Sequence, residues 1–80
     1  MAMKFADQHL DVESAFGPLR VLVTAEALYA LFRAGTGPQD EAGLIAEHRD
    51  LIEWTAAMKV ELEDLEPDGS IRIVGRDMEA

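Results

Sequence analysis

Sixteen acids against seven lysines and arginines leave this 80-residue chain at −9, a field that repels phosphate backbones and anionic bilayers and argues against nucleic-acid or membrane partners. It has no cysteine, which excludes disulfides, thiolate metal sites and cysteine nucleophiles, and with them a stapled secreted mini-fold. At 49% hydrophobic and 29% charged residues the composition is that of one small globular domain, near the lower size limit for a chain folding alone.

Residues 1–11 hold Phe5 and Leu10 as anchors among polar residues and read as an extended arm. Asp7 interrupts the start before an apolar run can form, so no signal peptide is expected. No stretch approaches the ~18 apolar residues of a membrane span, and the expected setting is cytoplasmic. Residues 12–23 read as a β-hairpin, with Val12–Phe16 and Leu19–Val23 as strands about a Gly17-Pro18 turn. The second strand alternates cleanly: Leu19, Val21 and Val23 share one face, Arg20 and Leu22 the other.

Thr24 precedes Ala25-Glu26-Ala27-Leu28 and is placed to cap a helix over 24–34, with Glu26 at the positive end of its dipole. Leu28, Leu31 and Phe32 form its apolar face, and Tyr29 lies at the flank. Gly35-Thr36-Gly37-Pro38 ends that helix and starts the next. The second helix spans 38–63, and winding it at ~3.6 residues per turn lines up Leu44, Ile45, His48, Leu51, Ile52, Thr55, Met58, Lys59 and Leu62. Trp54 falls about a quarter turn off this stripe, where it is expected to cover the edge of the core; an exposed tryptophan would instead mark a subunit contact. Pro67-Asp68-Gly69 is a turn, Ser70–Val74 a third strand, and 75–80 a polar tail expected to fray.

The order strand, strand, helix, helix, strand predicts an α+β fold of two layers, two helices covering one face of a small antiparallel sheet. Three strands leave two open edges, so self-association by edge pairing or helix packing is compatible with the pattern.

Leu44-Ile45-Ala46-Glu47-His48-Arg49-Asp50-Leu51-Ile52-Glu53, with its His-Arg pair in an acid-rich amphipathic helix, resembles the YrdB-like group of small bacterial proteins of unknown function. The strand-to-helix join Val23-Thr24-Ala25-Glu26-Ala27-Leu28, the Asp68-Gly69 turn and Phe5 are similar too. The sequence departs from that group in its shorter hairpin turn and in lacking cysteine and tryptophan in the hairpin. The resemblance implies an α+β fold and a bacterial setting; it implies no activity.

Among chemistry-bearing residues, His48 is the sharpest. Imidazole titrates near neutrality and could serve as ligand or base, but its i±3 and i±4 neighbours Leu44, Ile45, Leu51 and Ile52 supply no second metal ligand. A packing histidine is the preferred reading. Arg49 is expected to pair with Glu53 or Glu41. The run Asp64 to Ile71 imitates the start of a calcium loop, yet Gly75 stands where a bidentate glutamate is needed. Asp7, His9 and Asp11 could gather around a cation but lack a fourth ligand. No catalytic residue and no cofactor are assigned. The expected function is a non-catalytic protein-interaction or regulatory module, with a protein partner or a second copy. The alternative is a small-molecule or metal-binding domain centred on His48, with Arg49, Tyr29 and Trp54 as neighbours.

Overall fold

The computed structural model describes residues 5–34 and 40–78. The expected Gly35–Pro38 helix junction and the last two tail positions lie outside the described residues. Two strands, β1 (Gln8–Ser14) and β2 (Gly17–Val23), precede three helices, α1 (Ala25–Ala34), α2 (Glu41–Glu47) and α3 (Arg49–Glu61). A short strand β3 (Ile71–Ile73) and a 3-10 turn at Gly75–Met78 close the chain. The α+β expectation matches this arrangement.

The hairpin starts earlier than expected, at Gln8, and pairs from Gln8↔Val23 to Ser14↔Gly17. Its turn is Ala15-Phe16 rather than Gly17-Pro18. The Ser14 hydroxyl donates to the Gly17 carbonyl at 2.9 Å and accepts the Phe16 N–H at 3.0 Å, and Gly17 leaves the turn at φ +96°, a region open to glycine at little cost. Pro18 is tolerated within β2 because β3 reaches only Val21 to Val23, so no ladder on that side asks it for an N–H.

Strand order is β1-β2-β3, with β1 and β2 antiparallel and β2 and β3 parallel. The sheet is therefore mixed, where a wholly antiparallel one was expected. Alternation in a strand reports its buried face and not its direction. Direction is set by the connection, and the long helical crossover from Thr24 to Ser70 can join parallel neighbours.

Val12, Val21, Val23, Ile71 and Ile73 form the covered face of the sheet, packed against Leu28 and Leu31 of α1, Leu44 of α2, and Ile52 and Ala56 of α3. Complete burial of each such valine, leucine or isoleucine contributes about 1.5–3 kcal/mol. Phe5 extends this core, its ring 4.7 Å from Tyr29 and 5.9 Å from Phe32. The opposite face, carrying His9, Asp11, Arg20 and Arg72, is open to solvent.

The Gly75–Met78 segment does not fray. Met78 is buried, the Gly75 N–H donates to Glu26 Oε1 at 2.8 Å, and the Val74 N–H donates to Asp77 at 2.9 Å. A side chain at Gly75 would put its Cβ 2.7 Å from Glu26 Cγ, so any larger residue there must displace the Glu26 side chain.

Candidate protein-interaction surface

The long helix expected over 38–63 is broken at His48. Asp40 caps α2 by accepting the Gly43 N–H at 2.9 Å, and α2 ends after seven residues. His48, at φ −111° and ψ 23°, closes α2 and opens α3. Its backbone still donates to Leu44 at 3.1 Å and accepts from Ile52 at 3.0 Å. In an unbroken helix Leu51, seven residues on, would sit beneath Leu44. Here Ile52 is the buried residue, with Thr55 and Ala56. At ~100° per residue Ile52, Thr55 and Ala56 fall within ~120° of Leu44, so the buried side of the expected stripe is kept and its Leu51 edge is not.

The other edge of the expected stripe faces solvent, Leu51 and Met58 at 38% exposure. Leu51, Trp54, Met58 and Leu62 are exposed, Trp54 at 62% and Leu62 at 69%. At ~100° per residue these four fall within ~80° of one another on α3, an apolar row parallel to the buried one. Trp54 is not a cover for the core edge, because Ile52 and Ala56 already fill the space beneath α3. Tryptophan and methionine are enriched at protein interfaces, and a contiguous exposed apolar row marks an interaction site more often than scattered leucines do.

Acids border this row. Asp50 and Glu61 are exposed and project within about 40° of Trp54 on α3. Both cations of α3 are engaged elsewhere. Arg49 Nε lies 2.9 Å from Glu53, as expected, on the far side of the helix. Lys59 Nζ lies 3.1 Å from Asp64 and 3.2 Å from Asp77, its side chain 13% exposed. Burial draws the Lys59 ammonium down, but hydrogen bonds and charge from Asp64 and Asp77 outweigh it and hold its pKa above the usual 10.5.

The four residues expected to share a site occupy different settings. Tyr29 packs from α1 on Phe5, His48 is half-buried at the helix junction without a side-chain capping bond, Arg49 is in its ion pair, and Trp54 stands in the outward row. Among the described residues no three histidine, aspartate or glutamate side chains gather as a metal-holding group. Asp7 instead accepts the Ala25 N–H at 2.7 Å, and Asp64 is held by Lys59.

Sequence reasoning did not anticipate an open cleft of about 520 Å³ on the bare sheet face, lined by His9, Arg20 and Leu22 and by Glu66, Asp68 and Ser70 of the loop before β3. The Ser70 hydroxyl and N–H donate to Asp68 Oδ1 at 2.6 and 2.9 Å and lower its carboxyl below the usual 3.8. The strand register that brings His9 opposite Leu22 and Asp11 opposite Arg20 is the signal that could have located it.

No family model, curated protein or solved structure matches the chain. Among the described residues no helix is long and apolar enough to cross a membrane.

Proposed function

We propose that the chain is a non-catalytic interaction module, acting in the cytoplasm, that docks a protein partner on the outward face of α3. The observation that carries this reading is the exposure of Trp54 in register with Leu51, Met58 and Leu62. Solvating four large apolar side chains in one row forgoes burial that a partner would restore, at roughly 25 cal/mol per Å² of apolar surface covered. The acid border fits a protein surface and disfavours nucleic acid and anionic lipid. The reading centred on His48 draws less support, since the histidine is flanked by apolar neighbours at its helical contacts. Membership of the YrdB-like group is compatible with the proposal and adds no activity to it.

The test is a photo-crosslinking amino acid at position 54, with Glu13 on the hairpin as the control position, expressed in the cells that make the protein. The expected result is one discrete adduct from position 54, identified by mass spectrometry, absent from position 13 and lost with Met58→Asp. Absence of any position-54 adduct, together with a sedimentation mass equal to the monomer in cell extract, overturns the proposal.

A further inference from the structure

Resting on that docking surface, we infer that its occupant is a basic amphipathic helix of another protein, about three turns long, and not a second copy of this chain. The row from Leu51 to Leu62 fixes the length, because eleven residues of α3 extend ~16 Å at ~1.5 Å per residue. A helix is the element whose own i, i+3, i+4, i+7 anchors match such a row. Charge fixes the sign. Asp50 and Glu61 lie on the Trp54 side of α3 with no cation of α3 to answer them, since Arg49 is bound to Glu53 on the opposite side and Lys59 to Asp64 and Asp77.

A second copy packed through the same row would bring its own Asp50 and Glu61 against these two. Both copies also carry −9, so the approach is opposed at long range as well. A lysine- or arginine-bearing helix meets the opposite situation. Its apolar face covers Leu51, Met58 and Leu62, and its cations reach the acid border. One of them can lie over the Trp54 ring, where a cation within ~6 Å is attracted by the ring face.

The experiment uses the full chain and two synthetic 14-residue helical peptides with leucines at the same helical spacing. One carries lysines and the other glutamates at its remaining polar positions. Trp54 is the only tryptophan, so its emission reports occupancy of this face directly. The lysine peptide is expected to saturate at one per chain with a blue shift of Trp54 emission, and the glutamate peptide to bind at least tenfold more weakly. Met58→Asp is expected to weaken the lysine peptide at least tenfold. The double variant Asp50→Lys, Glu61→Lys, which leaves the apolar row intact, is expected to reverse the preference between peptides.

Equal binding of the two peptides overturns the inference, as does lysine-peptide binding that Met58→Asp leaves unchanged. Dimerisation that shifts Trp54 emission overturns it too, and so does a blue shift on uncharged phosphatidylcholine vesicles with none on the lysine peptide. If position 54 still crosslinks to a partner while the peptides are not discriminated, the docking surface stands and the basic occupant falls. If no crosslink forms, the surface itself falls.

Discussion

Thr24 is buried where β2 ends, and its hydroxyl donates to the Ile73 carbonyl at 2.8 Å while accepting the Ala27 N–H at 3.2 Å. One side chain thus caps α1 and ties it to the last strand. Thr24→Ala is expected to cost about 1–2 kcal/mol, the upper range for a lost N-cap, and Thr24→Ser to keep most of that stability; the shift in urea midpoint measures both. An alanine variant as stable as the parent would contradict the double role. The cap was legible in the sequence, because threonine before an alanine-rich turn is a local signal. The bond to Ile73, 49 residues on, was not, since no local pattern reports it. Glu63 offers the reverse case. It occupies the left-handed region at φ 57°, just past α3, where its N–H and that of Asp64 close the helix end on Val60 and Lys59 at 3.1 and 2.8 Å. Glycine is favoured at that position, so Glu63→Gly is expected to stabilise by about 0.5–1 kcal/mol. A urea midpoint that falls instead would contradict it.

At the scale of elements, the end of α3 is held by Lys59, whose two carboxylate partners come from the following loop and from the closing 3-10 turn. Its raised pKa makes the sign of the pH effect definite. The protonated form is favoured by folding, so its contribution is whole below the unfolded lysine value and drains away as pH rises through the folded one. Comparing urea unfolding of the parent and Lys59→Met, the stability gap should stay level from pH 7 to about pH 10 and narrow above it. A gap that closes between pH 7 and 9 would contradict the assignment. The same region shows why some elements could not be read from sequence. The apolar repeat from Leu44 to Leu62 is continuous, so nothing in its spacing signals a break at His48. The exposure of Leu51 and Met58 depends on which edge of the stripe the sheet covers, and the spacing does not report that. The Gly75–Met78 turn was hidden for a similar reason, because its anchors, Glu26 and Lys59, lie far away in sequence.

For the molecule as a whole, period-2 alternation in Leu19–Val23 and Ile71–Ile73 correctly marked the covered face of the sheet, and helical spacing correctly placed Leu28 and Leu31 in the core. Strand direction and the fate of Trp54 depended on how three helices return the chain to the sheet, which no single segment encodes. What results is a small core covered on one side only, with a charged, open sheet face and an apolar row on its outer helix. The central claim is that this row stands in water in the isolated chain and awaits a partner of opposite charge. The most direct measurement is collisional quenching of Trp54 by acrylamide across a range of protein concentrations. Quenching close to that of a free tryptophan amide and independent of concentration is expected. Protected, blue-shifted emission in the dilute chain would contradict it.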